Sequence, residues 1–411
     1  MQDKKSYILS TLIKGISVFI RFFFFYWLAT VLSVSDYGTF SILTTIITIG
    51  IVVLGFDQYI YYNRELSSDM LSIRTIISNQ IKTTMPFALI SLLISVIGFC
   101  LFDYFPFTII ILLSVIIFTE WLLQEAIRIV IVCNKPFYAN ILMFTKTCIY
   151  PVVIVVVYFI GLNISIDKIL LIWIFFNICH VIYIVIKYSK NISFSKLHTL
   201  KSEIKKSFMV SLPFFISTIG LRAIEFSNKF IIDGYLSREH VGVFSFFNSI
   251  YFNINSIIYS TIVVFSYPEM LSSINDMQKF KKAKINFIRI MTIFFIAISF
   301  AIIILYFILP YLNLNNKYVD YSYLLFIFLL ASIIFNFSLV SHYSLYAKRK
   351  DFSIIVITIA IAIFSLLLNI MMVKHFSIFG AAISVLISNA LLFVLKSIID
   401  IYSHGTIKRL Q

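Results

Sequence analysis

Apolar runs of about 20 residues recur along nearly the whole chain with short polar breaks between them, and this pattern leaves few folds open. A helix rises about 1.5 Å per residue, so about 20 residues cross a hydrocarbon layer of about 30 Å with every backbone polar group bonded internally. Spans of that length fall near residues 10–32, 38–60, 84–102, 107–130, 139–161, 166–187, 207–233, 241–265, 288–311, 322–345, 353–373 and 377–399. The expected fold class is an all-α integral membrane protein of about twelve transmembrane helices. Only 12% of the 411 residues are charged, against about 25% in a soluble domain, and the mean hydropathy is +1.00. No stretch is left for a soluble catalytic domain.

The net charge of +15 is spread unevenly. Counted by loop, 21 Lys and Arg fall on one side of these spans, and four, Lys168, Arg238, Lys317 and Lys374, fall on the other. Basic residues concentrate in cytoplasmic loops. The split therefore places both termini in the cytoplasm and explains the basicity by topology rather than by nucleic-acid binding. The longest loops, Tyr61–Thr83, Tyr188–Lys206 and Ser266–Phe287, are expected to be cytoplasmic and to meet anionic lipid. Met1–Tyr7 is short and basic, and the apolar run behind it continues to Leu32 without an A-x-A-like site, as expected for an uncleaved first span.

Aligned against itself at an offset of 204, the chain matches Leu32, Ser33, Gly38, Phe40 and Ser41 with Leu236, Ser237, Gly242, Phe244 and Ser245. The shared LSxxxxGxFS joins spans one and two, and again spans seven and eight. A duplication into halves 1–200 and 201–411 follows, each an expected six-helix bundle. An even span count gives both halves the same orientation, related by a pseudo-two-fold axis along the membrane normal. Such bundles can rock about a site held between them, and Pro151 and Pro213 are placed to bend their helices toward it.

An ionised side chain at mid-membrane costs about 2.5–3.5 kcal/mol on insertion scales, so several together should face a wet cavity or one another. Lys14 and Arg21 lie two turns apart on one face of span one, with Ser17 near them. Arg222, Glu225 and Lys229 share a face of span seven, span four carries Glu120, Gln124, Glu125 and Arg128, and span five carries Lys146. The functional expectation is a cationic cavity that attracts a phosphate. Lys14, Arg21, Arg128, Lys146, Arg222 and Lys229 would bind substrate, and Glu120, Glu125 and Glu225 would couple an ion. The structural alternative is intramembrane ion pairing, Arg222 with Glu225 and Glu125 with Arg128, which leaves Lys14, Arg21 and Lys146 without local partners. Lys396 and Arg289 are expected to snorkel from span ends, and Asp57 to face either Arg64 or the cavity.

No Gly-rich phosphate loop, HExxH or GxSxG is present, and His180, His198, His240, His342, His375 and His404 are scattered. Cys100, Cys133, Cys148 and Cys179 show no CxxC spacing, and Asn163 and Asn191 begin N-x-S triplets too common to weigh. Neither an enzyme nor a metal or cofactor site is expected.

The LSxxxxGxFS joint, the segment LGFDQYIYYNREL from Leu54 to Leu66, and LLLNIMMVKHFSIFGAAISVLIS around Asn369 and Phe379–Ala382 resemble bacterial polysaccharide flippases, especially O-antigen flippases, of the multidrug/oligosaccharidyl-lipid/polysaccharide exporter superfamily. The resemblance implies movement of an undecaprenyl-diphosphate-linked oligosaccharide from the cytoplasmic to the periplasmic leaflet of the bacterial inner membrane. It also implies coupling to H+ or Na+, and a polysaccharide polymerase with its chain-length machinery as partners. A drug or cation antiporter of the same superfamily is the main alternative. A membrane polymerase or acyltransferase fits less well, because every periplasmic loop is short.

Overall fold

The computed structural model describes residues 4–68, 73–102, 104–132, 136–188, 200–274 and 276–403, and every regular element among them is helical. Cys133, Lys135, Lys190, Asn191, Lys196, His198, His404, Lys408 and Arg409 lie outside the described residues, and the side chains of Lys4, Lys5, Arg74 and Lys201 are not described. In chain order the α-helices are α1 Lys4–Val31, α2 Val34–Gly55, α3 Tyr59–Ser68, α4 Ile73–Phe102, α5 Phe107–Val132, α6 Pro136–Phe159 and α7 Ile166–Tyr188. They continue as α8 Leu200–Tyr235, α9 Arg238–Ile258, α10 Val264–Ser272, α11 Met277–Ile308, α12 Asn316–Asp320, α13 Leu324–Ala347 and α14 Asp351–Tyr402. A π-turn at Tyr259–Val263 runs α9 into α10.

Eleven helical segments among the described residues are long and apolar enough to cross a membrane. One of them, α14, has 52 residues, or about 78 Å, more than twice a hydrocarbon core. It is broken at Ser377, whose φ of 55° and ψ of −140° are not helical, and so supplies two spans and brings the number to twelve. The turn is tight enough that a Cβ on Gly380 would sit 2.0 Å from the Met372 carbonyl oxygen.

The helices outrun the expected spans. Most of Tyr61–Thr83 and Ser266–Phe287, expected as loops, is taken up by α3, α10 and the first turns of α4 and α11. Hydropathy falls where charges begin, but Lys, Arg, Glu and Gln are good helix formers, so the helix continues into them. Asp276 starts α11 by accepting from the backbone N–H groups of Gln278 and Lys279, each at 3.1 Å. Those bonds and the Lys279 ammonium hold its carboxyl below the usual range.

Packing divides the chain into two compact units. One comprises the residues up to Phe24 together with Leu43–Ile219; the other comprises Phe25–Ile42 and the residues from Gly220 on. The first is built on α4 to α7, with Ile116, Trp121, Ile154 and Leu170 buried at its centre. In the second, small side chains let α13 and the latter part of α14 approach closely: Ala331, Ser341, Ser344, Ala381, Ala382 and Ser388 are buried. Ser341 and Ser397 hydroxyls meet at 3.0 Å, and Asn389 Nδ2 donates to the Ala331 carbonyl at 3.2 Å. Large apolar residues such as Phe159, Ile186 and Phe300 stand exposed on outer faces, as lipid requires and water penalises.

The second unit also contains both copies of the repeated motif. A Cβ on Gly38 would lie 2.0 Å from the Arg238 carbonyl oxygen, and one on Gly242 would lie 2.1 Å from that of Val34. Residues 34 and 238 are themselves 204 apart, so each glycine admits the backbone of the other copy in the same way. Their helix starts correspond too. Ser33 Oγ donates to Asp36 at 2.7 Å, and Ser237 Oγ lies 2.7 Å from His240 Nδ1.

Candidate functional site

In the first unit, Glu120 and Glu125 project from α5 about 140° apart around the helix, so each meets different neighbours. Glu120 is 6% exposed. It accepts Lys146 of α6 at 2.5 Å, Trp173 Nε1 of α7 at 2.8 Å and Asn177 Nδ2 at 3.2 Å. Tyr150, one turn beyond Lys146, stacks on Trp173 with ring centroids 4.9 Å apart and planes at 3°, and lies within electrostatic reach of Arg21. Lys146 therefore has a partner after all. It is on another helix, 26 residues away in sequence, where no local pattern reveals it.

Glu125 accepts Gln80 Nε2 of α4 at 2.9 Å and Arg128 at 2.5 Å. The Arg128 guanidinium also lies 3.5 Å from the centroid of the Tyr59 ring, a cation–π contact. Beside this pair the chain turns from α2 into α3 through Phe56 and Asp57, both left-handed with φ of 47° and 50°. Phe56 is held by rings, stacking on Phe215 at 4.2 Å and lying 4.9 Å from Phe208. Asp57 is 5% exposed, accepts Thr218 Oγ1 at 2.6 Å, and lies within electrostatic reach of Glu125. Arg64 stands over the Phe214 ring. Lys14 and Arg21 are exposed on α1.

In the second unit, Arg222 donates to Glu225 at 2.6 Å, the pairing that their i, i+3 spacing allows. Lys229 is buried near the Phe226 ring, 5.6 Å from its centroid, and the neighbouring Asn228 accepts Ser384 Oγ at 3.3 Å. Glu225, Asn248, Tyr251, Phe335 and Asn389 border a narrow cavity. Asn389 donates to the Tyr251 hydroxyl at 3.0 Å, and Asn255 Oδ1 accepts Ser332 at 2.6 Å and Asn336 at 2.7 Å. The structure thus brings Glu120 to Lys146, Glu125 to Arg128 and Glu225 to Arg222.

Sequence reasoning missed the uncharged members: Gln80, Trp173, Asn177, Tyr251, Asn255, Asn336 and Asn389. Their signal was present, since an amide in the middle of an apolar helix is itself costly unless bonded. One basic residue also needs correction. Lys396 does not snorkel but is buried at 6% exposure. Lys348, counted with the cytoplasmic-side residues, donates to buried Asp400 at 2.6 Å, and Lys284 binds the same carboxylate. Among the described residues, no group of three or more His, Cys, Asp or Glu side chains converges to hold a metal ion.

No family model and no curated protein matches the sequence. Solved structures do. The lipid II flippase MurJ in an inward closed conformation superposes with a TM-score of 0.72 at 16% identity, covering 95% of this chain and 86% of that one. A multidrug resistance MATE family transporter of the MOP superfamily, facing inward, gives 0.69 at 12% identity, covering 97% and 96%. The Vibrio cholerae MATE transporter VcmN, in a mutant form, gives 0.65 at 12% identity, covering 98% and 97%. With near-complete coverage in both directions and twelve apolar helices, the chain is a multi-pass membrane protein with the fold of the MATE transporters and the lipid II flippase.

Proposed function

We propose that the protein is a flippase that moves an undecaprenyl-diphosphate-linked oligosaccharide, an O-antigen unit or a related repeat. The direction is from the cytoplasmic to the periplasmic leaflet of a bacterial inner membrane, by alternating access of the halves 1–200 and 201–411 and with H+ or Na+ as the coupling ion. The observation that carries this reading is the charge balance. Each of Glu120, Glu125 and Glu225 is already ion-paired, to Lys146, Arg128 and Arg222. Six candidate cations against three carboxylates leave a net charge of +3. An anion gains from that excess; a diphosphate leaving water needs charge-assisted donors, which lysine and arginine supply. Lys14, Arg21, Arg222 and Lys229 are assigned to the diphosphate, Arg128 and Lys146 to setting the field around it, and Glu225 to ion coupling.

A drug or cation antiporter is the second reading, favoured by the fold shared with MATE transporters. An organic cation bound at any of the three carboxylates would have to displace an ammonium or guanidinium already 2.5–2.6 Å from it, which weighs against that reading. Removal of the protein from its native host tests both. Flipping predicts lipid-linked oligosaccharide trapped on the cytoplasmic leaflet. A normal leaflet distribution together with new drug sensitivity sinks the flippase in favour of the antiporter.

A further inference from the structure

The second unit buries a cation that none of its acids matches. Lys396 of α14 is 6% exposed and makes no hydrogen bond or ion pair among the described residues. The carboxylate one turn on, Asp400, is already shared by two ammonium groups, those of Lys284 and Lys348, and by the Ser344 hydroxyl. The unit's other acids are engaged elsewhere. Glu225, Asp233, Glu239 and Asp276 each pair with a cation of their own, Asp36 accepts Ser33, and Glu269, Asp320 and Asp351 are exposed. Lys284, Lys348, Lys396 and Asp400 therefore sum to two net positive charges, and Lys396 carries one of them with nothing set against it. An unpaired charge at low dielectric is expensive.

A second unfinished group stands beside it. His342 of α13 lies within electrostatic reach of Lys396, and its Nδ1 is buried without a hydrogen-bond partner. The bonds joining residues 331 and 389, 341 and 397, and 344 and 400 show α13 and this part of α14 running in the same direction. The Ser341 and Ser397 hydroxyls, 3.0 Å apart, fix their register, so His342 and Lys396 sit within about 3 Å of the same height. Whichever serine donates, the other keeps its own O–H to give. The same two helix faces lead to the narrow cavity beside Glu225: Lys396 is one turn beyond Leu392, and His342 two turns beyond Phe335, both of which border it.

We propose that Lys396 and His342, with the Ser341–Ser397 hydroxyl pair, hold a small monovalent inorganic anion, chloride in the cell, as the counter-ion of the second unit. A water molecule completes the hydrogen bonds but leaves the ammonium charge; an anion meets both needs. Lys396 supplies the charge-assisted donor, the Nδ1–H tautomer of His342 a second, and the spare serine O–H a third. One positive charge calls for one negative charge, and the narrow cavity favours a bare ion over a phosphate. None of these four residues is assigned to the diphosphate, so the site stands or falls independently of the transport reading.

The test is binding of radioactive chloride to the full chain in detergent, with thermal unfolding followed in sodium chloride, sodium bromide and sodium gluconate at one ionic strength. Wild type, Lys396→Met, His342→Phe and Arg289→Gln are compared, each checked for helical circular dichroism and a single size-exclusion peak. The expected result is saturable chloride binding that bromide competes and gluconate does not, matched by a saturable rise in the unfolding temperature. Lys396→Met abolishes both signals, and His342→Phe weakens chloride binding by about 10-fold. Arg289→Gln, at an exposed position on α11, keeps the wild-type affinity. Absence of chloride binding together with halide-independent unfolding in the wild type overturns the proposal and leaves Lys396 a neutral amine. Chloride binding that folded Lys396→Met retains overturns it too, by placing the ion elsewhere. Should that variant not fold, wild-type affinity in His342→Phe does the same.

Discussion

The candidate sites of the two units handle polarity differently. In the first, Glu120 of α5 is buried and matched across helices, by Lys146 of α6 and by the indole and amide of α7. In the second, the candidate carboxylate pairs within its own helix, Glu225 with Arg222, and the polar contacts beside it are neutral, running through Asn255, Ser332, Asn336, Tyr251 and Asn389. The joint carrying the repeat has meanwhile kept its geometry in both copies, Gly38 on Arg238 and Gly242 on Val34. The backbone contact that no side chain can replace is the same at both motifs, whereas the polar groups around the candidate carboxylates differ.

Five substitutions probe that contrast. The largest effect is expected from Lys146→Ala, which strands the Glu120 carboxylate in a dry interior at a cost of about 3–5 kcal/mol. Arg222→Ala should cost nearer the about 1 kcal/mol of a partly exposed pair, because the Arg222 and Glu225 side chains are 33% and 18% exposed against 12% and 8% for Lys146 and Glu120. Unfolding titrations in mixed micelles measure both, and equal losses would erase the distinction between the units. Gly38→Ala comes next. Its methyl would drive into the Arg238 carbonyl, with an overpacking penalty of about 1–3 kcal/mol, and Gly242→Ala should match it within error if the joint is symmetric. Asn389→Leu should cost the least, about 0.6 kcal/mol and at most about 1.7, the range found for hydrogen bonds inside membrane bundles. A larger loss would mean that the neutral network carries as much stability as the ion pairs.

How much of this was legible in the chain follows from the range of each interaction. The pairs Glu125–Arg128 and Arg222–Glu225 could be read directly, because i, i+3 spacing puts both partners on one helix face. Glu120–Lys146 could not, since which face of α6 meets α5 depends on packing rather than on period. The spans were legible as existence but not as extent. The Lys-rich start of α11 and the basic segment of α3 lower hydropathy without breaking the helix. Asp57 was read as facing Arg64 or the cavity, the natural guess for a carboxylate seven residues from a guanidinium; the structure adds a left-handed turn at Phe56 and Asp57 and a hydrogen bond from Thr218 that no spacing reveals. No periodicity announces a turn made by two residues that are not glycine. The break at Ser377 was foreseen only as a gap between two apolar runs, and the structure adds that a single residue makes it.

The most direct measurement of the proposed function is the rate at which undecaprenyl-diphosphate-linked oligosaccharide changes leaflet in proteoliposomes. Wild type would be compared with the exposed cation variant Arg21→Ala and the helix-equivalent Arg222→Ala, at matched reconstitution. The expected result is protein-dependent flipping by wild type that both variants slow severely while keeping their fold. Flipping by both variants at the wild-type rate would contradict the claim that membrane-embedded cations carry the diphosphate across, and would reduce Arg21 and Arg222 to packing and pairing groups.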